Sequence, residues 1–362
     1  MTDHDIGSIN YFDDIIQYML DDERSIVPVI SNSLRLEEIF RDDAELHDLI
    51  KKYKIEFYDE AYTIDQQLTK AWAASNEYPM SDDHNLARVA QYRQVVLDDD
   101  PEQAKMEYLN FLNQRLLKNR QNKPKPGYED IVAKFQKGMQ PTRFTKNARE
   151  LDMPDTFPEG KEDPLRLLAR LPFSIYITTS YFSFLEEALI IEKREPSTQV
   201  WSWGEKANIK PEHLPNRDYD PTFHNPVVYH LFGLENYAKS LVLSEDDYLD
   251  FLMNSASAIS SSELIPSPLR TALSQSRLLL LGYHLRDWDF RALIRFILEF
   301  RRPENKAISI ALQPKLILGD ETSEEKSVTY LEKYFKGHKF KVRWIDAESY
   351  IYGLSDAWRN RG

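Results

Sequence analysis

The sequence predicts an α/β protein, a doubly wound parallel sheet carrying an inserted all-helical module. Three observations predict it. The run Arg277-Leu-Leu-Leu-Leu-Gly-Tyr283 is continuously apolar rather than alternating, which marks a strand covered on both faces. From residue 173 onward, apolar or β-branched runs alternate with helical segments, the pattern of strand–helix–strand units. Residues 60–118 instead keep a helical period, with apolar positions at Leu68, Trp72, Leu86, Val89, Tyr92, Val96, Tyr108, Leu112 and Leu116.

The elements follow in order. Residues 10–22 read as a helix and Ile26-Val-Pro-Val-Ile30 as a short buried strand, although Pro28 cannot donate to a ladder. A helix over about 34–53 comes next, then the helical stretch, a loop at 121–127 rich in Pro, Asn and Gly, and a short helix over 128–139. Residues 153–164 hold three prolines and form a connector. Phe173-Ser-Ile-Tyr-Ile-Thr-Thr179 is a strand by its β-branched and aromatic content, followed by a helix over 182–193. Residues 194–226 carry five prolines and read as a long irregular segment. Strands are expected at 227–231, 277–283, 307–312 and 340–345. Helices are expected from Ser244, where Ser244-Glu-Asp-Asp resembles a capping box, near 266–275, from Asp287 to about 300, at 323–334 and at 348–358. The division is a discontinuous sheet domain, 1–54 and 146–362, around a helical insertion, 55–145.

Composition narrows the function. With 46 basic and 59 acidic residues the net charge is −13, which disfavours direct binding of nucleic acid. The chain has no cysteine, so it has no disulfide, no thiol nucleophile and no cysteine-ligated zinc. The polar, acidic N-terminus shows no signal-peptide pattern, and no apolar run approaches the length of a membrane span. A cytoplasmic location is expected.

Small and polar residues collect where strands should end. These are Ser31-Asn32-Ser33, Thr178-Thr179-Ser180-Tyr181, His230 and Gly282-Tyr283, with Asp287 opening a helix. In open α/β sheets nucleotides bind at that edge, through backbone N–H groups, hydroxyls and helix N-termini. For any one of them alone, ordinary turn and cap chemistry is the better explanation; only together on one sheet edge do they bring the two readings level. A lone histidine in an apolar strand, such as His230, is more often a satisfied core residue than a catalyst. Asp287 and Asp289 flank Trp288 and could hold a metal, but capping explains them better, and no metal site is expected.

Five segments in order carry a resemblance. They are Ile26-Val-Pro-Val-Ile30, Ile177-Thr-Thr-Ser-Tyr181, Val228-Tyr-His-Leu-Phe-Gly233, residues 240–252 and Leu281-Gly-Tyr-His-Leu-Arg-Asp-Trp-Asp-Phe290. Together they resemble the bacterial sirtuin-like domains. The resemblance implies a Rossmann-like NAD-binding domain with an inserted helical module. It also implies NAD+ as substrate or ligand, and a role as an NAD+-hydrolysing effector of anti-phage defence working in a complex with a sensor subunit. Departures are visible. Ser31-Asn32-Ser33 stands where the family has Gly-Ala-Gly, Ser180 where it has Asn, Phe182 where it has Asp, and Phe232 where it has the catalytic His.

The resemblance assigns His230, Ser180 and Tyr181 to ribose positioning and water activation, His230 sharing a strand face with position 232. It assigns Ser31, Asn32, Ser33, Thr178, Thr179, Gly282, Tyr283 and Asp287 to holding the nucleotide. The alternative is an inactive scaffold or regulatory subunit that binds a partner protein. Protein-deacetylating sirtuins carry a four-cysteine zinc module, which a chain without cysteine cannot build, so lysine deacetylation is not expected.

Overall fold

A computed structural model describes residues 12–22, 24–43, 46, 63–98, 100–122, 128–154, 157, 160–203, 207–260, 265–284, 287–301, 307–314 and 321–361. Seven parallel strands form one sheet: β1 (Ile26–Ile30), β2 (Ile175–Thr178), β3 (Ser197–Val200), β4 (Val227–His230), β5 (Arg277–Leu281), β6 (Ser309–Gln313) and β7 (Phe340–Trp344). Their spatial order is β3-β4-β2-β1-β5-β6-β7. The chain therefore leaves β1 on one side to build β2, β4 and β3, and returns to the other side for β5. The reversal lies at β1, and the carboxyl ends around it form the crevice where such sheets take ligands.

Helices cover both faces, as all-parallel sheets require. They are α1 (Asp13–Asp21), α2 (Ser33–Phe40), α3 (Ile64–Ser75), α4 (Leu86–Val96), α5 (Pro101–Gln121), α6 (Tyr128–Gly138), α7 (Phe144–Glu150), α8 (Pro164–Arg170), α9 (Phe184–Ile191), α10 (Glu245–Ser260), α11 (Ser267–Gln275), α12 (Trp288–Phe300), α13 (Glu321–Gly337) and α14 (Ala347–Arg359). The four leucines of β5 are fully buried, as their unbroken run predicts.

Pro28 sits in a central strand after all. β1 pairs with β5 along its whole length, but its register with β2 begins only at Val29. The missing donor thus falls where the second ladder has not started. The proline-rich segment 194–226 is not wholly irregular, because β3 lies within it and pairs with β4. Ser197-Thr-Gln-Val200 is a short edge strand, half-exposed at its first two residues and buried at its last two, too weak a pattern to read in advance. The helix expected to about residue 53 runs to Phe40, and its remaining span lies mostly outside the described residues.

Between α2 and β2 the described residues hold only helices and turns. This helical part is bound to the sheet part by buried polar contacts. Arg115 pairs with Asp43, Asn119 Nδ2 donates to the Ile39 carbonyl at 2.8 Å, and Lys105 Nζ meets Asp247 at 2.7 Å. The expected boundary at 145/146 falls inside α7. The Glu235 carboxylate, from the turn after β4, accepts the Thr145 N–H at 3.1 Å and so caps that helix. The boundary expected at 54/55 lies outside the described residues.

Candidate functional site

The site is built from strand ends brought level by register. Ile30 stands beside Thr178 and Leu281, and Thr178 beside His230. Each following residue is tied across the sheet. Ser31 N–H donates to the Leu281 carbonyl at 3.0 Å and Thr179 N–H to the Ile30 carbonyl at 3.0 Å. Ser31 Oγ donates to the Gly282 carbonyl at 2.5 Å and Thr178 Oγ1 to the Ile30 carbonyl at 2.8 Å.

Gly282 is required here. Its φ is +76°, and an added Cβ would stand 2.7 Å from Ser31 Oγ and 3.2 Å from Leu34 Cβ. Gly233 is constrained in the same way, with φ +83° and the Ser240 carbonyl 2.2 Å from a built Cβ. That glycine turns the chain just after Phe232.

Two cavities flank this crossover. The first has a volume of about 200 Å³. Asn32, Thr179, Tyr181 and Phe232 line it from the strand ends, Asp287, Trp288 and Asp289 from the start of α12, and Tyr248 from α10. Asp65, Gln66 and Thr69 of α3, with His84, Asn85, Leu86 and Ala87 at the start of α4, close it from the helical part. Four helices thus begin at this cavity: α2 after Asn32, α3, α4 after Asn85, and α12 after Asp287. Their positive ends favour an electron-rich ligand. The second cavity, about 210 Å³, is lined by Gly282, Tyr283, His284, Leu312, Pro314, Leu34, Glu37, Arg41 and residues 346–348.

The carboxylates set the electrostatics of the first cavity. Burial pushes Asp65 up to about 7, against the hydrogen bond it accepts from Ser33 Oγ. Burial, reinforced by Asp287, pushes Asp289 up to about 8. Asp289 Oδ1 accepts the Phe290 N–H at 2.5 Å, and Asp287 accepts from Gln66 Nε2 at 3.3 Å. In the second cavity burial lowers the His284 pKa, but Glu37, 3.4 Å away, outweighs it and lifts it to about 9. Among the described residues no group of three or more His, Asp or Glu side chains is arranged to hold a metal ion.

The sequence-predicted residues divide in three. Asn32, Thr179, Tyr181 and Asp287 line the first cavity, and Gly282 and Tyr283 line the second. Thr179 Oγ1 and Tyr283 Oη are 3.0 Å apart, so the two walls are joined. Ser31, Ser33, Thr178 and Ser180 stand behind them. Ser180 Oγ donates to Asn32 Oδ1 at 3.2 Å, and Thr178 Oγ1 accepts the Ser180 N–H at 2.9 Å.

His230 lines neither cavity. It is fully buried, with Nε2 2.7 Å from Glu186 Oε1 and Nδ1 2.9 Å from the Ser180 carbonyl. Burial alone would lower its pKa, but the Glu186 carboxylate overrides that and leaves it raised. The expectation that His230 shares the face of position 232 fails for a physical reason. Alternation holds only within a strand, and β4 ends at His230. The turn that follows brings Phe232, not His230, to the cavity wall.

Phe182 is also buried, its ring 4.5 Å from that of Phe144 in α7. Sequence reasoning missed Asp65, His84 and Tyr248, and read Asp289 only as a cap. Nothing in their local patterns points to a cavity, because they come from α3, the turn before α4, α10 and α12, which only the fold brings together.

Residues 174–337 match the family model for the SIR2-like domain. The match runs from the residue before β2 to the end of α13, so it contains the Thr178–Tyr181 turn, Phe232 and the Gly282–Asp289 segment. This part of the chain is therefore sirtuin-like, and the SIR2-like family in general binds NAD+. The end of β1 and the helical part lie outside the matched SIR2-like region. No curated protein matches the chain. No described helix is long and apolar enough to cross a membrane.

Proposed function

We propose that this chain binds NAD+ across the two cavities and hydrolyses its nicotinamide–ribose bond, as an effector of bacterial anti-phage defence acting in a complex with a sensor subunit. The observation that carries this reading is the meeting of Asn32, Thr179, Tyr181 and Asp287 with four helix N-termini at the crossover point, beside a matched SIR2-like region. In this reading the first cavity takes the nicotinamide ribose, with Tyr181 and the Ser180–Asn32 pair orienting it. Gly282 and Tyr283 let the pyrophosphate and adenosine pass over the sheet edge into the second cavity. The first cavity, about 200 Å³, and the second, about 210 Å³, are each below the ~300–1,000 Å³ usual for a whole ligand, which suits half of a dinucleotide in each. His230 acts as a positioning residue through the Ser180 carbonyl rather than on the substrate.

Incubating the purified full-length chain with NAD+ and following nicotinamide by chromatography tests the reading; release that scales with protein is expected. A second reading is a nucleotide-binding scaffold without turnover. Phe232 at the cavity wall favours it, because no imidazole from β4 faces the ligand. Saturable NAD+ binding with no nicotinamide released would select that reading.

A further inference from the structure

We propose that Asp289, at the start of α12, is the general base that takes the place of the imidazole excluded by Phe232. The inference rests on the NAD+-hydrolysis reading. Three carboxylates border the first cavity, and their engagements differ. Asp65 accepts the Ser33 hydroxyl with Oδ2, and its Oδ1 is sealed in the wall without a partner. Asp287 accepts from Gln66 and occupies the N-cap position of α12. Asp289 commits Oδ1 to the adjacent Phe290 N–H and lines the same cavity as Phe232.

Phe232, Trp288 and Tyr248 give this end of the cavity an aromatic wall, with the Phe232 and Tyr248 rings 5.5 Å apart. Such a wall limits the water that reaches the ribose. The chemistry balances without any further reactant. A water oxygen bonds to the ribose C1′ as the C1′–N bond breaks. The bonding pair returns to the pyridinium nitrogen and neutralises it, giving nicotinamide. Asp289 takes the water proton and afterwards yields it to solvent. The groups facing Asp289 are Asp65 from α3, Asp287 beside it, His284 after β5, Tyr181 after β2 and Tyr248 from α10. Burial, with Asp287 and Asp65 acting the same way and His284 opposing them, pushes the carboxyl up to about 8, so ionisation of Asp289 controls the rate.

The test is steady-state nicotinamide release by the full chain and by D289N and D289E, each across a pH series. A general base contributes about 10²–10⁴-fold, so kcat of D289N falls at least ~100-fold, with KM within about threefold. The wild-type rate climbs with pH to a plateau, the D289N rate is flat, and D289E recovers part of the activity. D289N retaining kcat within about threefold of wild type, or keeping the pH limb, overturns the assignment while leaving the hydrolysis reading intact. A wild-type chain that releases no nicotinamide overturns both. Should D289N not fold, D289E decides: an unchanged kcat and pH profile counts against the base.

Discussion

The buried pair of His230 and Glu186 gives the sharpest stability prediction. In Glu186→Gln the acceptor oxygen stays and the charge goes. The native contact is 2.7 Å, both side chains are buried, and Glu186 Oε1 also accepts the Thr198 hydroxyl at 3.0 Å. A hydrogen bond to a charged partner contributes ~1.5–3 kcal/mol and a neutral one ~0.5–1.5 kcal/mol, so the substitution costs about 1–2 kcal/mol where His230 is protonated. The sign with pH follows from the raised imidazole pKa. Stability from such a group is complete below the unfolded value of ~6.5 and is lost as pH rises through the folded value. The wild-type advantage over Glu186→Gln should therefore be complete below pH ~6.5 and shrink as the pH is raised above it. Urea unfolding followed by tryptophan fluorescence measures it. Other titrating groups are common to both proteins and cancel in the difference. A gap that does not change with pH, or that grows on raising it, would refute an imidazolium–carboxylate pair.

Two more outcomes follow from the same crevice. Gly282→Ala meets both a positive φ and a 2.7 Å contact with Ser31 Oγ, so it should lose about 1–3 kcal/mol in urea unfolding and weaken NAD+ binding in calorimetry. Asp65 and Glu235, each near 7, and Asp289, near 8, lie above the unfolded carboxyl values of ~4. The native state then holds more protons between those limits. The melting temperature of the ligand-free chain should fall as pH rises from about 5 to about 8, and D289N should flatten part of that slope.

Most of the sheet was legible because its signals are local. The leucines of β5 mark a two-faced strand without reference to any partner, and Gly282 after them marks a strained turn. Pro28 shows the limit, since whether a proline fits depends on which ladder runs past it. β3 was hidden because four edge residues, two half-exposed and two buried, carry no period. At the site, Asn32, Thr179, Tyr181, Gly282, Tyr283 and Asp287 were legible as strand-end chemistry. His230 was not, because two-residue alternation was carried past the last residue of β4. Asp65, His84, Tyr248 and the cavity role of Asp289 depend on helices folding back over the sheet, a long-range fact that no window of sequence contains.

In the proposed reading NAD+ is cleaved at the crossover of this sheet. The most direct test is the full chain incubated with NAD+ and assayed for nicotinamide and ADP-ribose in equal amounts, with Gly282→Ala alongside. Stoichiometric release by the wild-type chain and a strong loss in Gly282→Ala are expected. Intact NAD+ after prolonged incubation, alone and with the proteins that co-purify with the chain, would contradict it.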